Sequence, residues 1–286
     1  MIVSVCADKG SPGVTTLATV LGVVWPAERV VLEADCSGAD LPFRVRHADG
    51  DRLLDPQPSV LALAADARGA LPAGGLLNYA QPTTLGVPVI AGALSAEAYG
   101  PMARLWSRVA EAAGSWTGTA VADLGRLQPG DPALPVAKAS TAVLLLARAD
   151  LAGLYRLRDR VAELAGSVGD PSRDRSPVAV VVRTRAGSEG RAAVGAVRQV
   201  LAAAGSPIPI LGVLTEDPAG AAGLDAGELS RRLLGSELIR SGRVLAEKAL
   251  AWWPQLVGVP GRSDPADQVE AGWPGAVAGR VGRVAP

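Results

Sequence analysis

Short runs of β-branched and aliphatic residues alternate with longer segments rich in Ala, Leu and Arg along most of the chain. The short runs show no regular polar alternation, as expected of strands covered on both faces. Five stand out, at residues 2–6, 30–33, 119–123, 141–147 and 178–182, with two weaker runs at 86–90 and 208–213. Helical patterns occupy 14–24, 96–113, 151–165, 190–204 and 229–253. This order predicts an α/β fold, a mostly parallel sheet flanked by helices on both faces.

The stretch leading up to residue 86 is rich in Pro, Gly and Asp and reads as loop around one helix at 59–66. From residue 258 onward Gly and Pro interrupt every helical pattern, so one domain over 1–257 and a flexible tail over 258–286 are expected.

With 49% hydrophobic and 20% charged residues the composition is globular, and 28 basic against 28 acidic side chains exclude an overall electrostatic footprint for nucleic acid. Arg231, Arg232, Arg240 and Arg243 gather in the last helical segment, as a solvated face or as a local contact for non-specific DNA or a protein partner. Trp252 and Trp253 close that segment and read as core packing of a terminal helix, and the lone His47 as a solvated loop residue. Cys6 and Cys36 are too few for a disulfide scaffold and fit small core residues of a reduced compartment. Neither a signal-peptide pattern nor an apolar stretch of roughly 18 residues is found, so a cytoplasmic protein without a transmembrane segment is expected.

The first strand runs into Asp8-Lys9-Gly10-Ser11-Pro12-Gly13-Val14-Thr15-Thr16 and then directly into a helical pattern. A glycine-containing turn between a buried strand and a helix gathers backbone N–H groups and the positive helix end around one concavity suited to phosphate. The same residues also read as a plain tight turn with Val14 packed inward. The second strand ends in Glu33-Ala34-Asp35 and leads to Asp40, and the third ends in Asp123-Leu124-Gly125. Carboxylates at these positions face the crevice where open α/β sheets bind ligands.

The loop resembles the deviant Walker A motif of the ParA/MinD ATPases, K-G-G-x-G-K-[ST]-T. Lys9, Gly10, Gly13, Thr15 and Thr16 match, Ser11 replaces the second glycine, Val14 stands at the phosphate-binding lysine, and Asp8 takes a position that is commonly glycine. Strand ends Asp35 and Asp123 are similar to the family's switch I and Walker B aspartates, and the likeness covers roughly residues 1 to 250. The resemblance implies ATP and Mg²⁺ as cofactors, with residues 10 through 16 (Gly10, Ser11, Pro12, Gly13, Val14, Thr15, Thr16) around the phosphates and Thr15 and Asp123 at the metal. It implies Lys9 as the signature lysine that reaches a partner's phosphates across a homodimer, Asp35 near the attacking water, and the backbone of Gly125 at the γ-phosphate. Arg183 falls near the base site, where the asparagine common in relatives is absent.

By the same resemblance the chain is a dimerising, nucleotide-dependent switch that positions a chromosome, a division site or surface machinery through a protein partner or cargo adaptor. Hydrolysis is expected to be slow, because Val14 cannot neutralise charge on the phosphates. The alternative is a catalytically inactive scaffold similar to the CpaE/TadZ proteins; a third reading, a P-loop enzyme acting on a small molecule, has no substrate motif behind it. A basic amphipathic membrane helix of the MinD kind is not expected in the Gly- and Pro-rich tail.

Overall fold

The computed structural model describes residues 1–9, 13–69, 71–169 and 175–256. Strand β1 (Ile2–Ala7) leads to helix α1 (Val14–Val24), followed by β2 (Arg29–Glu33), α2 (Leu41–Arg44), α3 (Val60–Asp66) and β3 (Val89–Ile90). Then come α4 (Trp106–Ser115), β4 (Thr119–Arg126), α5 (Leu134–Ala139), β5 (Ala142–Arg148) and α6 (Leu151–Val168). The chain continues through β6 (Val178–Thr184), α7 (Ser188–Ala203), β7 (Ile210–Thr215), α8 (Pro218–Asp225), α9 (Arg231–Leu234) and α10 (Glu237–Trp252). The tail expected at 258–286 lies outside the described residues.

The strands form one sheet in the order β3-β2-β4-β1-β5-β6-β7, and every pairing is parallel. Apolar side chains cover both faces, which a parallel sheet requires. On one face Val3, Val5 and Val31 meet Leu17 and Leu21 of α1 and Leu238 and Leu245 of α10. On the other, Ile2, Val143 and Val180 meet Trp106 of α4, Val136 of α5, Val161 of α6 and Val197 of α7. Trp253 is buried and its indole N–H donates to the Ser176 carbonyl at 3.2 Å, whereas Trp252 is partly exposed beneath the Arg175 guanidinium. Among the described residues no helix is long and apolar enough to cross a membrane.

Several expected boundaries shift for identifiable reasons. The helix expected over 96–113 divides into a 3₁₀ segment, Ala96–Met102, that contains Pro101, and α4. Proline has no N–H to continue an α-helical ladder. The helix expected over 229–253 breaks after α9, and Ser236 caps a new start by accepting from Ile239 N at 3.2 Å. Helices α2, α5 and α8 were not expected from the pattern, and each carries a proline in its first turn. Read as breakers, those prolines are helix starters, since a first-turn N–H has no partner to lose.

Candidate functional site

The site is built where the central strand β1 ends. Parallel register sets Asp123 of β4 beside Val5 of β1 and beside Glu33 of β2, so two acids share one level at the C-terminal edge of the sheet. Both are buried, but they are treated differently. Glu33 accepts three backbone N–H groups: Oε1 from Asp40 at 2.7 Å and Leu41 at 2.8 Å, and Oε2 from Gly92 at 2.9 Å. It ties the loops after β2 and β3 together and is a structural clamp. Burial pushes its pKa up to about 7 against the pull of those N–H groups.

Asp123 is fully buried, and its Oδ1 accepts from Gly125 N at 3.0 Å. Its Oδ2 has no hydrogen-bond partner among the described residues. Burial raises its pKa to about 6, opposed by the Thr15 hydroxyl, which lies close without completing a hydrogen bond to Oδ2, and by Gly125 N–H. A buried carboxylate oxygen without a donor is costly, and a cation or a bound water removes that cost.

Gly125 holds φ +53°, and a Cβ there would lie 1.8 Å from Asp35 Oδ2, so only glycine fits between the two acids. Its N–H is engaged by Asp123 in this structure. Asp35 is half-buried; burial raises its pKa, and Oδ1 accepts from Ser37 N at 2.8 Å. Asp40 is exposed before α2.

Gly10, Ser11 and Pro12 lie outside the described residues. Gly13, with φ +96°, starts α1 without a side-chain cap, so no cap side chain takes up the first-turn N–H groups of Val14, Thr15 and Thr16. Val14 turns into the apolar layer shared with Leu17 and is only 6% exposed, which leaves its backbone alone to the loop. Thr15 and Thr16 are partly exposed. Lys9 is exposed at the strand end.

Two arginines reach the loop from opposite sides. Arg44 Nη2 donates to Thr16 Oγ1 at 3.2 Å and to Asp225 Oδ1 at 2.6 Å. Arg183 Nε pairs with Glu216 Oε1 at 3.1 Å, and its Nη1 would lie 3.8 Å from a Cβ on Gly13. Arg183 therefore lies beside Gly13, already matched by a carboxylate. Arg44 and Asp225 were missed by sequence reasoning, because an ion pair between distant segments leaves no local signal.

No protein-family model and no curated protein matches the sequence. Solved structures do. A ParA family ATPase from Chlorobium tepidum superposes with TM-score 0.66 at 14% identity, covering 86% of this chain and 98% of that one. The cell division ATPase MinD of Pyrococcus furiosus gives 0.64 at 20% identity over 88% and 98%. The Pyrococcus horikoshii septum site-determining protein MinD, complexed with Mg-ADP, gives 0.61 at 18% over 87% and 96%.

The fold is that of the ParA and MinD ATPases. At these identities the likeness carries the fold and leaves the chemistry to the residues. Asp35 and Asp123 flank Gly125 toward the C-terminal ends of β2 and β4, the edge at which open α/β sheets bind ligands. Among the described residues no group of three or more His, Cys, Asp or Glu side chains is arranged to hold a metal ion. One carboxylate and one hydroxyl, Asp123 and Thr15, instead fit Mg²⁺, which keeps waters and takes its other ligands from phosphates.

Proposed function

We propose that the chain is a nucleotide-responsive switch of the ParA/MinD kind, which binds ATP with Mg²⁺, dimerises, and positions a cellular cargo through a protein partner. The observation that carries this reading is Asp123, a fully buried carboxylate with one oxygen that has no hydrogen-bond donor among the described residues. It stands behind the uncapped first turn of α1 and beside Thr15. A fold does not benefit from such a group, whereas a metal site does. The P. horikoshii neighbour, described with Mg-ADP, supports the same reading.

In this proposal the N–H groups from Gly13 to Thr16 cradle the phosphates, and Asp123 and Thr15 hold Mg²⁺. The metal, when bound, neutralises charge on the phosphate oxygens. Asp35 orients the attacking water, Arg183 borders the nucleotide, and exposed Lys9 reaches the partner's phosphates. Hydrolysis is slow because the Val14 side chain belongs to the core. Calorimetric titration with Mg-ATP and Mg-ADP tests the proposal: micromolar binding supports it, and no binding at millimolar nucleotide overturns it.

A second reading is favoured by one observation, the burial of Val14 where relatives carry a lysine. It is a scaffold that keeps the fold, binds protein partners and has no use for nucleotide. The same titration separates the two.

A further inference from the structure

Helix α1 carries no charged side chain, and Val14 at its first position is buried in the apolar layer. Positive charge for a phosphate at the start of this helix therefore comes from other elements. Arg183, near the C-terminal end of β6, is one source. Apart from its chain neighbours, the described atoms nearest to a Cβ on Gly13 would be Arg183 Nη1 and Thr16 Cβ, each at 3.8 Å, and Thr16 Oγ1 at 3.9 Å. The space over Gly13 is thus bordered by a guanidinium and a hydroxyl. Arg44 of α2 adds a second cation, donating from Nη2 to the same Thr16 Oγ1 at 3.2 Å.

Each arginine is paired with an acid from another segment. Glu216 Oε1 lies 3.1 Å from Arg183 Nε, and Asp225 Oδ1 accepts from Arg44 Nε at 2.8 Å and Nη2 at 2.6 Å. None of the four side chains is buried, and ion pairs in that setting are worth little. A phosphate, which takes paired charge-assisted bonds from a guanidinium fork, competes with such a partner at small cost. That a ligand belongs at this turn has separate support: the buried Asp123 Oδ2, close to Thr15, has no hydrogen-bond donor among the described residues.

We propose that Arg183 is a phosphate-binding residue of this site and supplies the positive charge that α1 lacks, with Glu216 holding the guanidinium at Nε while Nη1 lies over Gly13. This role differs from a contact to the base, and it rests on the nucleotide reading above. Arg44 contributes less, since its Nη2 already serves both Thr16 and Asp225.

Tripolyphosphate carries phosphates without base or sugar, so it separates a phosphate contact from a base contact. The full chain is titrated calorimetrically with Mg-ATP and with Mg-tripolyphosphate at fixed ionic strength, and the wild type should bind both. Arg183→Met should weaken both by about tenfold, one charged hydrogen bond. Glu216→Gln, which releases the guanidinium and removes a nearby negative charge, should tighten both by about threefold. A purely structural pair predicts the same loss from either partner, and that result overturns the proposal. So does a loss of Mg-ATP affinity in Arg183→Met with tripolyphosphate unchanged, which would place the arginine at the base. Unchanged affinity for both ligands, or a wild type that binds Mg-ATP and no tripolyphosphate, overturns it as well. In each of these cases the wild type still binds Mg-ATP and the nucleotide reading stands. A wild type that binds neither ligand at about 10 mM overturns that reading and this proposal together.

Discussion

On the β2 and β4 side of the loop after β1, three carboxylates are drawn out of water: Glu33 and Asp123 fully, Asp35 in part. On the β5 and β6 side stand Lys9, Arg160 and Arg183 among other charged groups, and these two arginines meet acids in ion pairs. No ion pair among the described residues joins these acids to a cation, although the Arg126 charge pulls on Asp35; their hydrogen-bond partners are backbone N–H groups or, at Asp123 Oδ2, nothing among the described residues. Burying acids without counter-charge costs stability, and the side that accepts this cost is where a metal would restore balance.

The largest effect that would test this contrast is at Asp123. Asp123→Asn keeps the shape and removes the charge, and Mg-nucleotide affinity should fall roughly a hundredfold. The ligand-free protein should melt at the same temperature or higher above pH 7, since a strained charge has gone. Calorimetry and thermal melts on the same samples read both quantities. Unchanged affinity with lower stability would make Asp123 a structural residue and erase the difference between the two sides.

The acid side also fixes a pH dependence. Asp123 is raised to about 6 and Glu33 to about 7, in both cases by burial first. Folded carboxyls with raised pKa values bind protons more tightly than the unfolded chain does, so their contribution is fully present below about pH 4 and is lost as pH rises to 7. Asp217, lowered by the Gly220 N–H, opposes this only below the ordinary carboxylate range. Stability from denaturant unfolding should drop by roughly 2–4 kcal/mol between pH 4.5 and 7.5, and by less in Asp123→Asn. A flat or rising profile would show that water or ions already relieve these acids.

Gly125 tests the geometry of the same side. Gly125→Ala adds a methyl against the Asp35 carboxylate at a positive φ, and should cost about 2–4 kcal/mol of stability by thermal or denaturant unfolding. A cost below 1 kcal/mol would mean that Asp35 moves freely, and the acids would then not form one preorganised group.

Much of this was legible in the sequence, and the reason differs from place to place. The central strands and α1 were readable because burial on both faces leaves uninterrupted aliphatic runs, and Asp123 and Gly125 because a strand's end announces itself. Helices α2, α5 and α8 were not, since their first-turn prolines carry the same letters as a turn. The clamp at Glu33 was invisible because its partners are backbone N–H groups, which any residue supplies. The arginine pairs were invisible because Arg44 meets Asp225 across most of the chain. The loop itself was half legible: its motif named the residues and left Val14 open between the phosphate-binding position and inward packing, and the structure puts its side chain in the core.

Val14→Lys asks whether the first side lacks only a charge. A lysine that stays in the core should cost about 1–3 kcal/mol of stability in the ligand-free protein. If the loop still holds phosphates, the long side chain can leave the core and raise Mg-ATP affinity about tenfold. Lower stability without a gain in affinity favours the scaffold reading.

The smallest effect belongs to Arg44, which bridges Thr16 and Asp225 at the edge of the loop with both charged side chains part-exposed. A pair in that setting is screened by water and salt, so Arg44→Ala should lower stability by less than about 1 kcal/mol, and the loss should shrink further as salt rises from 0.05 to 0.5 M, roughly a Debye length of 14 Å falling to 4 Å. Denaturant unfolding at the two salt concentrations measures it. A loss above 2 kcal/mol that ignores salt would instead mean that Arg44 feels the buried acids of β2 and β4. In that case the acid side does have a counter-charge, supplied through Thr16, and the strain assigned to Asp123 would have to be reassigned to the loss of that arginine.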